Sequence, residues 1–135
     1  MSSLHWADQL AEKIIERAHR EKCVPNIKCQ QTPSGGKHIG NLNEVLRAYF
    51  PYKAVIERGE KCTFIHMSDD RDPLKDIPAK LADLDANWHD AAKFPELKKF
   101  YGQPLFTVLD PFGCCESYAK HFTTIWMNGI YSLGI

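Results

Sequence analysis

The chain has 135 residues, of which 44% are hydrophobic and 25% are charged, so it is long enough to bury a core and predicts one compact domain. Its 17 lysines and arginines balance its 17 aspartates and glutamates. This balance argues against a free-standing DNA- or RNA-binding protein, because such proteins usually carry a basic surplus. The sequence shows neither an apolar run of about 20 residues nor a secretory signal, so we expect no membrane association. Five cysteines without the spacing of a disulfide scaffold favour the reducing cytoplasm.

The first predicted element is an amphipathic helix over 4–21, whose small and apolar residues recur at spacings of three and four. A short strand follows at 23–29, and Pro25 limits it to an edge or to the start of a strand. A stretch rich in glycine and proline at 32–41 precedes a second helix, predicted to continue until Pro51.

The second half of the chain begins with a predicted buried parallel strand at 62–67, which ends in a polar loop. A helix is predicted at 77–92, and a last helical pattern runs from Cys114 to a stop near Gly134. The order of these elements predicts an α/β fold with a doubly wound, Rossmann-like parallel sheet flanked by helices. Such a sheet usually has at least four strands and only two are clear, so we expect an incomplete sheet.

The glycine-rich stretch at 32–41 has the chemistry of a phosphate-binding loop. Its glycines allow close approach to the backbone, and the helix that follows offers free N–H groups and a partial positive charge. His38 can donate to a phosphate oxygen as negative charge develops in a transition state, and Asn41 offers an amide nearby. Taken alone, His-x-Gly also fits an ordinary turn with an incidental histidine.

The longer string Pro-Ser-Gly-x-x-His-Ile-Gly-Asn resembles the HIGH signature of class I aminoacyl-tRNA synthetases, with Asn41 in place of the last histidine. More narrowly, the run from Thr32 to Asn41 resembles the class I lysyl-tRNA synthetases, and further similar segments lie in order between residues 5 and 134. The resemblance implies that residues 1–135 form the N-terminal half of a synthetase catalytic domain. Such an enzyme uses ATP with Mg²⁺ to activate lysine and passes the lysyl group to tRNA(Lys).

The resemblance also implies roles for individual residues. His38 and Asn41 would be catalytic, acting on the ATP phosphates. Thr32 and Glu44 would recognise lysine, although Glu44 could equally be a solvated helix residue, and Gln30 and Gln31 depart from the family pattern. The ATP-binding stretch would comprise Pro33, Ser34, Gly35, Gly36, Lys37, His38, Ile39, Gly40 and Asn41.

A second constellation consists of one carboxylate, two thiols and one imidazole, which can complete a tetrahedral Zn²⁺ shell: Asp110, Cys114, Cys115 and His121. The spacing alone also fits buried cysteines beside a surface histidine. The family resemblance implies a zinc-binding insertion around 110–121, with Cys115 in place of a histidine. Four protein ligands would make the site structural, tying the loop to the last helix.

The family's second signature, Lys-Met-Ser, and its anticodon-binding domain have no counterpart in the sequence. We therefore expect a truncated product or a fragment with little activity of its own, prone to self-association through an open sheet edge. Two alternatives remain. One is a small nucleotidyltransferase with a similar His-x-Gly loop, although such enzymes usually place that loop after a strand near the start of the chain. The other is a non-catalytic, zinc-stabilised synthetase remnant.

Overall fold

The computed structural model describes residues 5–135, and within them the chain divides into two compact units. The first unit contains the residues up to Gln30 together with Ile39–Met67. The second unit contains Gln31–His38 together with Ser68–Ile135. Each unit is therefore assembled from two separate stretches of sequence. No helix in the described part of the chain is long and apolar enough to span a membrane.

Helix α1 (Trp6–Glu21) confirms the first predicted helix, except that Leu4 lies outside the described residues. The His5 side chain accepts a hydrogen bond from the Ala7 N–H at its start. Lys22 ends the helix in a left-handed conformation with φ of 52°, before Pro25 is reached. The buried side of α1 packs against the second helix of the first unit, with a small core formed by Ala11, Ala54 and Val55.

Helix α2 (Ile39–Glu57) extends beyond its predicted end, because it runs through Pro51. A proline inside a helix removes one backbone hydrogen bond and usually costs about 3 kcal/mol. Pro51 is buried on the packed side of α2, where its ring contributes apolar contact. We attribute the continuation of the helix to this burial, which offsets part of the lost hydrogen bonding.

Strands β1 (Asn26–Gln31) and β2 (Thr63–Ser68) form a two-stranded parallel sheet. The Thr63 N–H donates to the Pro25 carbonyl at 3.0 Å, and the Asp69 N–H donates to the Gln31 carbonyl at 2.8 Å. Both bonds join residues with the same separation along the chain, as parallel pairing requires. The predicted α/β class is confirmed, whereas two parallel strands do not by themselves form a doubly wound sheet.

The two strands correct the sequence prediction in detail. β1 begins at Asn26, three residues later than expected, directly after Pro25. β2 was predicted to be buried, but its residues are half-buried or exposed. The rings of Tyr49 and Tyr52 lie 5.9 and 5.3 Å from that of Phe64, so aromatic side chains cover one part of β2 while the rest stays accessible.

The second unit contains an antiparallel hairpin of β3 (Lys80–Ala82) and β4 (Trp88–Asp90), with Leu81 opposite His89. The helix predicted at 77–92 is therefore wrong. Pro78 disfavours helix at the residue before it, and a local hydrogen-bonded turn competes with helix further along.

That turn is built around Asp83. Its Oδ1 accepts from the backbone N–H groups of Asp85 at 3.0 Å and Asn87 at 2.9 Å, and Ala86 adopts φ of 64°. Oδ2 lies 2.8 Å from Nε2 of His89. The His89 hydrogen bond, followed by those from Asn87 and Asp85, lowers the pKa of Asp83 to about 2.

Helix α3 (Tyr118–Ser132) closes the second unit and carries much of its core. It begins after Cys114 and Cys115, where the Ser117 hydroxyl accepts from the Lys120 N–H at 3.2 Å. The predicted stop is confirmed, since Gly134 follows the helix with φ of 76°. Short 3-10 turns lie between the hairpin and α3, and the core cluster comprises Leu74, Leu81, Leu97, Leu105, Val108, Tyr118, Ala119 and Phe122.

Candidate active-site loop and metal centre

The glycine-rich loop lies between the end of β1 and the start of α2, so His38 immediately precedes the first residue of a 19-residue helix. This confirms the predicted placement of His38 at a helix N-terminus. The His38 side chain is exposed, and Asn41 occupies the first turn of α2. The start of a helix carries a partial positive charge, which attracts anions such as phosphate.

Within the second unit, hydrogen bonds fix the first half of the loop. The Thr32 hydroxyl donates to Oδ2 of Asp72 at 2.9 Å. The Ser34 N–H donates to the Thr32 carbonyl at 2.9 Å, and the Lys37 ammonium donates to the same carbonyl. Burial lowers the pKa of Lys37 from its ordinary value.

Tyr118 contacts the loop from the start of α3. Its hydroxyl donates to the Ser34 carbonyl at 3.0 Å, while the Tyr118 side chain is fully buried. Burial raises the pKa of Tyr118 well above its ordinary value, so the hydroxyl stays protonated and remains a donor. Sequence reasoning missed this contact, because the two residues are 84 positions apart.

The two loop glycines lie against rings. A Cβ on Gly35 would be 2.6 Å from Cγ of Pro78, and Gly35 has φ of 148°. A Cβ on Gly36 would be 2.7 Å from the Trp88 ring. Position 35 therefore needs a residue without a side chain, whereas at position 36 only the outer end of the exposed Trp88 ring would have to shift. Neither Pro78 nor Trp88 was identified from the sequence.

Glu44 belongs to the first unit, whereas Thr32 belongs to the second. Within the first unit, Glu44 lines an open cavity of about 550 Å³ together with Gln30 and Arg47. Burial, and then the negative charge of Glu44, raises the pKa of the Cys29 thiol, so Cys29 stays protonated. The cavity thus combines a carboxylate and a guanidinium with apolar walls contributed by α1, α2 and β1.

Gln31 ends β1 with a buried side chain, and neither atom of its amide has a hydrogen-bond partner among residues 5–135. Leaving a buried polar group unpaired costs about 1–3 kcal/mol. Gln31 is one of the two residues that depart from the family pattern, and its unpaired amide makes this departure destabilising.

The four predicted metal ligands come together in the second unit. Their ligand atoms all lie within 4.8 Å of one another. Cys114 Sγ is 3.2 Å from Nδ1 of His121, 3.3 Å from Oδ2 of Asp110 and 4.0 Å from Sγ of Cys115. The His121 side chain is fully buried and the Asp110 side chain is 1% exposed. The structure thus brings the four residues into one cluster that could hold a metal ion.

The chemistry of these donors fits a divalent cation. His121 Nε2 lies 2.9 Å from the Ala82 carbonyl, which can only accept, so we assign the proton to Nε2. Nδ1 then points a lone pair at Cys114 and at Oδ1 of Asp110, which is 3.3 Å away. Lone pairs and negative charge thus converge on one point, between the buried His121 and the exposed Cys114, and a bound cation would stabilise them.

Cys114 responds to these surroundings. Desolvation, followed by the Asp110 carboxylate, raises the pKa of its thiol to about 12. A bound Zn²⁺ would reverse this effect, because a coordinating thiol is deprotonated. The residues present therefore fit a metal whose binding releases protons.

Asp110 also shapes the loop that carries the thiols. Its Oδ1 accepts from the Phe112 N–H at 3.0 Å. Its Oδ2 accepts from the N–H groups of Cys114 at 2.9 Å and Cys115 at 2.7 Å. These bonds hold both cysteines in place before α3 begins, so the ligand positions are largely preformed.

A sequence model of the family described as tRNA synthetases class I (K) matches residues 4–135. The chain belongs to this class I tRNA synthetase family. The resemblance seen in the loop and in the segments around it is thereby confirmed.

Curated relatives agree with this assignment. The synthetase chain is 39% identical over 134 residues to a lysine--tRNA ligase of Halobacterium salinarum, covering 98% of the chain and 24% of the relative. It is 40% identical over 133 residues to a lysine--tRNA ligase of Thermococcus kodakarensis, covering 98% and 23%. With that of Pyrococcus horikoshii the identity is 38% over 133 residues, again covering 98% and 23%. The chain thus spans about a quarter of the length of these relatives.

Proposed function

We propose that this synthetase chain supplies the phosphate-binding part of a lysine-activating site in a lysine--tRNA ligase. The observation that carries the proposal is the path of the backbone from β1 through the glycine loop into α2, with His38 directly before the helix. The names of the relatives support lysine as the amino acid and tRNA(Lys) as the acceptor.

In the proposed reaction, the lysine carboxylate attacks the α-phosphate of Mg²⁺-bound ATP, giving lysyl-adenylate and pyrophosphate. The lysyl group then passes to the 3′ end of tRNA(Lys). His38 and Asn41 stabilise charge on the phosphates, and the stretch from Pro33 to Gly40 lines their approach. Catalysis of this type depends on positioning and on charge stabilisation rather than on covalent chemistry of the protein.

For the lysine side chain, Thr32 and Glu44 are the proposed contacts. An ammonium group needs anionic or strong acceptor partners. Glu44 is an exposed carboxylate in the first-unit cavity. The Thr32 hydroxyl donates to Asp72, which leaves its own oxygen available as an acceptor and places a carboxylate beside it.

We propose that Asp110, Cys114, Cys115 and His121 hold a structural Zn²⁺. A bound Zn²⁺ would tie the loop after Val108 to α3. The donor set and the buried side chains of Asp110 and His121 support this assignment, and four protein ligands leave no position for a substrate. We also propose that the full-length protein works in the cytoplasm, as its free cysteines suggest.

The β1 edge not paired with β2 carries no strand among residues 5–135. An unpaired edge presents free backbone groups and invites another strand. We therefore propose that the chain self-associates at this edge. Sedimentation analysis over a range of concentrations tests this, and a strictly monomeric chain at high concentration would rule it out.

ATP titration and pyrophosphate exchange test the main proposal. We expect weak ATP binding that is lost in His38→Ala but retained in the control His19→Ala, which removes an exposed histidine from α1. If contacts on the other side of the nucleotide contribute about 4 kcal/mol, their absence slows exchange by roughly a thousandfold. We therefore expect little exchange with lysine, and none with other acceptors. ATP binding that is unchanged in His38→Ala would overturn the proposal. Faster pyrophosphate exchange with another acceptor than with lysine would also overturn it.

A further inference from the structure

Tyr118 joins the glycine loop to the metal cluster. Its hydroxyl donates to the Ser34 carbonyl at 3.0 Å. In sequence it stands three residues after Cys115 and three before His121, at the first position of α3. We propose that Tyr118 is a positioning residue that couples metal binding to the order of the glycine loop, and through it to nucleotide affinity. The nucleotide part of this inference rests on the proposed function.

The Tyr118 ring has little freedom to move independently of the start of α3. The Tyr118 N–H donates to the Val108 carbonyl at 2.8 Å, and Ser117 caps the helix. The ring is fully buried and lies 4.6 Å from that of Phe122. Since the metal ligands flank this segment, a cation that holds Cys115 and His121 in their observed positions also restricts the Tyr118 hydroxyl to its position beside Ser34.

A second route leads from the cluster to the same loop. Nε2 of His121 bonds to the Ala82 carbonyl at 2.9 Å, and Ala82 pairs directly with Trp88 across the hairpin. The Trp88 ring is the group that a Cβ on Gly36 would strike. The metal ligand His121 is thus linked to Gly36 through the hairpin and to Ser34 through Tyr118.

The order of the loop matters because a phosphate-binding backbone must present its N–H groups in one arrangement. If the metal holds Ser34 and the glycines in that arrangement, the loop loses less conformational entropy when a nucleotide binds. The nucleotide then binds more tightly. Coupling of this kind is reciprocal, so a nucleotide that favours the ordered loop must tighten metal binding by the same factor.

The test compares Tyr118→Phe with the matched control Tyr131→Phe, which removes an exposed hydroxyl from the same helix. The variant keeps the aromatic ring, so elemental analysis should find unchanged zinc in both proteins. Without nucleotide, we expect the Gly35 and Gly36 amides of Tyr118→Phe to exchange with solvent about 3- to 10-fold faster, as loss of one neutral hydrogen bond implies. Chelation of the metal should accelerate these amides in the wild type and have a smaller effect in Tyr118→Phe.

ATP titration of the same proteins supplies the second readout. We expect ATP to bind about 3- to 10-fold more weakly to Tyr118→Phe, with Tyr131→Phe unchanged. Equal exchange of the Gly35 and Gly36 amides in Tyr118→Phe and wild type would overturn the coupling, whatever ATP does. If these amides exchange faster in Tyr118→Phe as expected but the wild type does not bind ATP, the coupling stands and the proposed nucleotide function does not.

Discussion

Gly35 offers a sharp test of the loop geometry. Alanine at this position meets two separate obstacles. The backbone angle φ of 148° is one that residues with a side chain rarely adopt, and holding alanine there costs about 1–3 kcal/mol. The new Cβ would also lie 2.6 Å from Cγ of Pro78, and relieving such a contact in a packed site costs about 1–3 kcal/mol. We therefore expect Gly35→Ala to destabilise the chain by about 2–6 kcal/mol.

Alanine substitutions at two other glycines measure the backbone cost and the steric cost separately. Gly102 has φ of 81° with open space around its Cβ position, so Gly102→Ala measures the backbone cost alone. Gly36 has no unusual φ, and its Cβ would meet the ring of Trp88, which is 59% exposed and free to turn away. Gly36→Ala should therefore cost less than about 1 kcal/mol.

Thermal unfolding followed by circular dichroism is the assay. At about 3–5 °C for each kcal/mol in a chain of this size, Gly35→Ala should lower Tm by roughly 6–30 °C. Adding Pro78→Ala removes the ring atom that the new Cβ meets. The double variant should regain the stability lost to this contact, which a double-mutant cycle measures as an interaction energy between the two positions. A Gly35→Ala variant no less stable than Gly102→Ala, or additive effects of Gly35→Ala and Pro78→Ala, would show that the contact with Pro78 costs nothing.

Three further predictions follow from buried and charged groups. Gln31→Leu removes an unpaired buried amide and should raise the free energy of unfolding by about 1 kcal/mol; a lower Tm would show that the amide is paired. Elemental analysis should find about one zinc per chain, lost with a drop in Tm in Cys114→Ala but retained in Cys23→Ala, whose thiol is exposed and outside the cluster. Asp83 has a lowered pKa in the folded state, so its contribution to stability is complete above its ordinary pKa of about 4 and is lost as the pH falls towards 2. Asp83→Asn should therefore be less stable than wild type at pH 7, and the difference should shrink in acid; a deficit independent of pH would contradict this.

Local patterns explain what could be predicted from the sequence. Helix α1 and the position of the glycine loop follow from residues that are neighbours along the chain. The metal cluster was also predictable, since Asp110 and His121 lie within twelve residues and Asp110 organises the intervening loop. In these cases the physical determinants are short-range.

The predictions that were wrong or missing have physical causes that cannot be read from a single sequence. Apolar residues near 77–92 fit a helix, but the Asp83 turn and Pro78 make a hairpin instead. Pro51 was given its usual role as a helix terminator, because its burial could not be foreseen. The bond between Tyr118 and Ser34 depends on tertiary packing across 84 positions, and no periodicity indicates it.

This separation in sequence has a consequence for synthesis on the ribosome. Ser34 emerges long before Tyr118, and translation proceeds at about 5–20 residues per second, so the loop waits for roughly 4–17 s before its hydroxyl partner has been made. During that interval the signature sequence is complete, yet Asp72, Pro78 and Trp88 are also missing for part of the time. A nascent chain stalled shortly after residue 67 would contain the whole glycine-rich motif. It would lack the later residues of the second unit that contact the motif. Nascent chains arrested at successive lengths should therefore acquire native protection at Gly35 only once the start of α3 has left the ribosome.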